Sequence, residues 1–182
     1  MDVTFITGNP NKAEYLSKLI GLPISHQKID LEEIQSLKLE EIVEHKLRQA
    51  YAIVQKPIIV EDASLEFEAL GGLPGTFIKF FVDNTDEQVI CDMVKGRSRR
   101  AWAKSIYGYY DGEHMEFFEG CLEGTIAQTP EGENGYGYDR FFVPAGYDVP
   151  RAALSPEDDE KTYLQIKPLD KVKEFLTRNT QS

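Results

Sequence analysis

The stretch VEDASLEFEALGGLPGTFIKFF, residues 60–81, decides the fold. It carries the apolar run Ile58-Ile59-Val60 into two carboxylates, Glu61 and Asp62, then crosses three glycines and a proline into an aromatic segment. Such a run reads as a buried strand ending at the two acids. In open α/β sheets ligands gather outside strand ends, so Glu61 and Asp62 mark a candidate site, and Gly-Gly-Leu-Pro-Gly suits a tight turn with the backbone returning.

Upstream, VTFIT (3–7) is a short β-branched run closed by a Gly-Asn-Pro turn. NKAEYLSKLI then places Ala13, Leu16, Leu19 and Ile20 on one helical face before Gly21. ISHQKIDL (24–31) is extended, and Leu39, Ile42, Val43, Leu47, Ala50, Tyr51 and Val54 recur at helical spacing over residues 39–54. Downstream, EQVICDMV (87–94) reads as a short helix, and AWAKSIYGYY (101–110) and HMEFFEGCLEGTIA (114–127) as a hairpin about Asp111-Gly112. A Gly-rich loop (130–139), a strand at RFFVP (140–144), an acidic loop (155–160) and a helix around DKVKEFL (170–176) complete the chain. Strands alternating with helices predict an α/β fold, and 182 residues without a repeat or linker predict one domain, 1–182.

Composition excludes several classes. A net charge of −11, with no basic run longer than RSRR (97–100), argues against a nucleic-acid surface, so an anionic ligand must be held locally. Cys91 and Cys121 are too few and too far apart for a disulfide framework or zinc site, and both are expected to pack as small apolar residues. The chain opens without a secretory pattern and contains no run of eighteen apolar residues. These features predict a protein of the reducing cytoplasm with no membrane partner.

TGNPNK (7–12) turns a strand sharply into a helix, which presents free N–H groups and the positive end of the helix dipole. Thr7, Gly8 and Asn9 then form an anion loop, with Lys12 adding a point charge. An ordinary capped turn with a solvated lysine fits the same six residues. Lys46 lies at the edge of its helix's apolar stripe beside Ile42, where it either finds a partner or snorkels to solvent. Glu33 ends another extended piece, and together with Glu61 and Asp62 it supplies carboxylates suited to Mg²⁺. One of these acids could also orient or deprotonate a water. Most of the 31 Asp and Glu residues, SPEDDE included, read as solvation.

ITGNPNK, QKIDLEEIQ, VEDASLEFEALGGLPGTFIKFF and GYGYDRFFVPAGY, in this order over roughly residues 3–147, resemble the Ham1/inosine triphosphate pyrophosphatase family. The resemblance implies a Ham1/Maf-type ITPase-like fold: a long mixed sheet with flanking helices and a cleft between two lobes, assembled as a homodimer. It implies hydrolysis of a nucleoside triphosphate, with deaminated purines such as ITP, dITP and XTP preferred, to the monophosphate and pyrophosphate with Mg²⁺. Thr7, Gly8, Asn9 and Lys12 match the family's triphosphate loop, Lys46 its phosphate-facing lysine, and Glu33 and Asp62 its metal-associated acids. On this basis Asp62, Lys12 and Glu33 are the catalytic candidates, Asp62 also matching the general base. Tyr136 matches the base-stacking aromatic, and Gly137, Tyr138 and Asp139 the loop at the purine edge.

The pattern departs near the C-terminus. Lys161 matches the family's lysine, but Thr162 replaces Asn, and Gln165, Ile166 and Lys167 stand where Ser-His-Arg reads the base. Lys167 keeps one donor there. Ala63 follows Asp62 where a hydroxyl is usual, with Ser64 next door as a substitute phosphate contact. Two functional classes follow: a pyrophosphohydrolase with relaxed base choice, and a nucleotide-binding or sensing subunit that acts through a protein partner.

Overall fold

The computed structural model describes residues 3–180. Seven strands among the described residues form one mixed sheet: β1 (Val3–Ile6), β2 (Ile24–Gln27), β3 (Ile58–Phe67), β4 (Pro74–Gly75), β5 (Arg100–Tyr110), β6 (Met115–Ile126) and β7 (Phe142–Pro144). The order is β2-β1-β3-β5-β6-β7, with β4 paired to β3. The helices are α1 (Pro10–Ile20), α2 (Leu39–Val54), α3 (Ile78–Asn84), α4 (Glu87–Asp92), α5 (Pro156–Ile166) and α6 (Leu169–Thr180). No helix among the described residues is long and apolar enough to cross a membrane.

The chain divides into two compact units, to both of which β3, β5 and β6 contribute residues. The first comprises residues 1–62, 105–119 and 168–182. Here β1 pairs in parallel with β2 (Val3↔Ile24 to Ile6↔Gln27) and with β3 (Thr4↔Ile58, Phe5↔Ile59). The stripe read on α2 is its buried face: Val43, Leu47 and Ala50 pack with Ile58, Val60 and Ile106. Gly108 is required by this packing, because a Cβ there would stand 2.5 Å from Val43 Cγ1 and 2.7 Å from Leu47 Cδ1.

The second unit comprises residues 63–104 and 120–167. Its core joins Leu65 and Phe67 of β3, Ile90 and Cys91 of α4, Ala101 and Ala103 of β5, and Phe141, Phe142 and Ile166. The expected return of the chain through Gly-Gly-Leu-Pro-Gly is present as β4, with Leu65↔Gly75 and Glu66↔Pro74 antiparallel.

Three expectations need correction. Strand β3 does not stop at Glu61 and Asp62 but runs on to Phe67, because Leu65 and Phe67 supply further buried positions. The acidic segment 155–160 is the start of α5 rather than a loop: Ser155 caps it by accepting from Asp158 N at 3.2 Å, and Pro156 opens its first turn. The aromatic segment after Gly75, left unassigned from the sequence, is helical as α3. Cys121 is exposed while Cys91 is buried, since β6 turns Leu122, Gly124 and Ile126 inward and Cys121, Glu123 and Thr125 outward.

Candidate functional site

Apart from Ser64, the candidate phosphate and metal residues belong to the first unit. Continuing the parallel register by two residues sets Thr7 level with Glu61, so the loop after β1 lies beside the acids of β3. Thr7 N donates to Gln27 O at 3.1 Å, which ties the loop to the end of β2, and Asn9 N donates to Thr7 Oγ1 at 3.1 Å. The loop then enters α1, where Lys12 N donates to Asn9 O at 3.2 Å. Gly8 and Asn9 are exposed, and the stem of Lys28 passes close to Gly8, about 4 Å from where a Cβ would stand.

Adjacent residues of a strand point to opposite faces, so Glu61 and Asp62 meet different helices. Glu61 accepts from Lys12 Nζ of α1 at 2.9 Å and from Ser105 Oγ at 3.1 Å. Asp62 accepts from Lys46 Nζ of α2 at 2.7 Å, and the same ammonium reaches Glu33 Oε1 at 2.9 Å. Lys46 therefore does not snorkel; it finds the acidic partners its inward position demanded. Burial opposes its charge, but Asp62 and then Glu33 outweigh burial and hold its pKa above the ordinary lysine value.

Two carboxylates converging on one cationic nitrogen make a donor set that fits a hard divalent cation, which takes one or two carboxylates and completes its shell with water and phosphate oxygens. No group of three or more His, Cys, Asp or Glu among the described residues could hold a metal alone. Glu61 was read from the sequence only as one of the two strand-end acids, without its pairing to Lys12, and Ser105 was not assigned. Ser105, fully buried in an apolar strand, was the available signal.

The remaining candidates belong to the second unit. Tyr136 and Gly137 are exposed in the Gly-rich loop, and Tyr138 packs edge-on to Phe142 with ring centroids 6.1 Å apart. Asp139 is buried; its Oδ1 accepts from Arg151 Nη1 at 2.7 Å and its Oδ2 from Tyr136 N at 3.0 Å. Burial pushes its pKa up against the opposing pull of Arg151. Lys161 is exposed, whereas Lys167 is buried at the end of α5. Ile166, which stands at a family base-reading position without a donor, belongs to the apolar core. Ser64 is also buried, and its Oγ has no hydrogen-bond partner among the described residues. Arg151, the cation that organises this group, was not foreseen at all.

Residues 3–175 match the Ham1 family, and the chain belongs to that family. Among its relatives, the inosine triphosphate pyrophosphatase of Yarrowia lipolytica is 36% identical over 100% of this chain and 98% of the relative. The dITP/XTP pyrophosphatase of Thermococcus kodakarensis is 31% identical over 98% of this chain and 99% of the relative. The solved Staphylococcus aureus Ham1 protein superposes with a TM-score of 0.85 at 23% identity, covering 98% of this chain and 100% of that one. The last likeness concerns the fold alone and bears out the expected mixed α/β architecture.

Proposed function

We propose that this protein hydrolyses a nucleoside triphosphate, a deaminated or otherwise non-standard purine such as ITP, dITP or XTP, to the monophosphate and pyrophosphate. The observation that carries the reading is the ammonium of Lys46 held between Asp62 and Glu33, beside a strand-to-helix loop with a second lysine. That arrangement matches what a triphosphate requires: cations and backbone N–H groups for its charge, and carboxylates for a metal and a water. Family membership and the named relatives support the same class of reaction.

In this reading Thr7, Gly8, Asn9 and the start of α1 bind phosphate oxygens, with Lys12 and Lys46 offsetting the repulsion of an acidic protein. Glu61 and Ser105 hold Lys12 in place. Glu33 and Asp62 would hold Mg²⁺, which when bound draws charge from the triphosphate. Asp62 takes the proton of the attacking water as its oxygen bonds to the α-phosphorus, and the bond to the departing pyrophosphate breaks. Tyr136 offers a face for the base, and Lys161 and Lys167 are the further cations assigned to nucleotide binding. Residues 1–182 act as one ITPase-like domain in the cytoplasm, paired as a homodimer; sedimentation of the pure protein tests the pairing.

The deciding assay incubates the pure protein with Mg²⁺ and a panel of standard and deaminated triphosphates, resolving pyrophosphate from orthophosphate. Pyrophosphate with a monophosphate, released fastest from a deaminated purine, is expected. Orthophosphate with a diphosphate, or tight binding without turnover, would sink the reading.

A further inference from the structure

A buried guanidinium organises the second unit at a point where the chain is irregular. Arg151 lies on the short 3-10 turn Arg151–Ala153 and is only 5% exposed. Each of its nitrogens is engaged: Nη1 donates to Asp139 Oδ1 at 2.7 Å, Nε to Thr162 Oγ1 at 3.1 Å, and Nη2 to Asp159 Oδ1 at 2.5 Å. Two of these acceptors belong to α5 and the third to the Gly-rich loop. The backbone joins the same partners, with Asn134 N donating to Ala152 O at 3.2 Å and Ala152 N to Asp139 O at 2.9 Å. Asp139 completes the clasp by accepting from Tyr136 N. Gly135 leaves room for it: the residue has φ +77°, and a Cβ there would stand 2.4 Å from Asp139 Oδ2.

We propose that Arg151 is a positioning residue for nucleotide binding, which acts through Asp139 to fix the loop so that Tyr136 is presented preformed to the base. Asp139 is then the clasp of the loop rather than a reader of the purine edge, since both of its oxygens are already engaged. The inference rests on the reading of Tyr136 as the stacking residue. Its physical basis is preorganisation: a loop ordered before binding does not charge its ordering entropy to the ligand. Without Arg151, Asp139 keeps the attraction of Lys167 against the repulsion of Asp159, and burial disfavours its charge. The loop would loosen, and the loss would appear in binding, because the proposed phosphate chemistry belongs to residues of the first unit.

The test compares the full chain with Arg151→Met, Arg151→Lys and Asp159→Asn. Amide exchange at Asn134, Tyr136 and Ala152 is followed by NMR, alongside kcat and KM for ITP and the inhibition constant of inorganic tripolyphosphate, which lacks a base. Arg151→Met should speed exchange at Tyr136 by at least about tenfold and raise KM for ITP similarly, a loss of about 1.4 kcal/mol. The kcat should stay within about threefold and the tripolyphosphate constant should not move, with partial recovery in Arg151→Lys. If Arg151→Met does not fold, Asp159→Asn decides, with rises of roughly threefold expected in both exchange and KM. Unchanged exchange and KM in a folded variant would overturn the proposal, as would ITP and tripolyphosphate weakening together. A wild-type protein inert towards every triphosphate would instead refute the proposed function, and the exchange data alone would then judge the clasp.

Discussion

On the proposed reading Lys46 and a divalent cation compete for the same two carboxylates, and Lys46→Met tests that competition. The lysine side chain is 14% exposed, Asp62 27% and Glu33 55%. Breaking a fully buried pair costs about 3–5 kcal/mol and an exposed one about 0–1, so this partly screened cluster should lose about 1–2 kcal/mol without metal. For a chain of this size that lowers Tm by roughly 2–8 °C. The loss has a specific remedy, because the variant leaves two carboxylates facing a gap that Mg²⁺ can fill. Free Mg²⁺ at about a hundred times its Kd contributes about 2.7 kcal/mol to a protein that binds it only when folded. In the wild type the ion must first displace Nζ, so the Mg²⁺-induced rise in Tm should be larger in Lys46→Met, even as kcat/KM falls at least about tenfold for want of a phosphate contact. The assay is thermal unfolding of both proteins across a Mg²⁺ titration, with Ca²⁺-free buffer and EDTA controls. Equal Tm values in EDTA, or equal Mg²⁺ shifts in the two proteins, would show that Lys46 and the metal do not share Glu33 and Asp62.

Asp62→Asn should lower turnover at least about a hundredfold while leaving the fold intact by circular dichroism; activity within a few fold of wild type would deny Asp62 any role as base or ligand. Because the folded pKa of Lys46 is raised, its ion pairs stabilise the protein fully below the lysine's unfolded pKa and are lost as pH climbs through the folded one. Strongly alkaline unfolding titrations should therefore show a loss in wild type that Lys46→Met lacks. Gly108→Ala should cost about 1–3 kcal/mol in urea unfolding, since its methyl would press on Val43 and Leu47. Ile166→His should destabilise the protein by at least about 2 kcal/mol without altering base preference, because the side chain lies in the core; a stable variant with a higher ITP to ATP ratio of kcat/KM would return Ile166 to the base pocket.

What could be read from the sequence was whatever depends on local periodicity. The stripe on α2 announced both its own boundaries and an inward Lys46, because the residues that bury a helix recur within it. The loop Thr7–Asn9 was legible for the same reason: a β-branched run, a turn and a helical face follow one another within twenty residues. Glu61 was harder. Read as one of a pair at a strand end, it looked redundant beside Asp62; as part of a continuous strand, it points to the other face and holds Lys12. The misplaced strand end concealed that division, since period-two alternation was interrupted by three successive half-buried residues, Glu61, Asp62 and Ala63. For α5 the signal was present as Ser155-Pro156 followed by acids in the first turn, a cap, an N1 proline and dipole partners together, and it was outweighed by the polarity of the segment.

Arg151 had no such local signature. Its partners lie twelve residues before it and eight and eleven after it, in an irregular loop and on α5. A buried arginine is tolerated only when several acceptors converge, and convergence of that kind is a property of the fold rather than of any window of sequence. The same reasoning bears on how base choice is encoded. A segment compared position by position at 165–167 suggested a pocket missing its donors, yet Ile166 is core and Lys167 is buried. The polar groups that hold the tyrosine loop come from the turn at 151 and from α5, so the proposed presentation of Tyr136 to a base rests on them, beside the cation kept at Lys167.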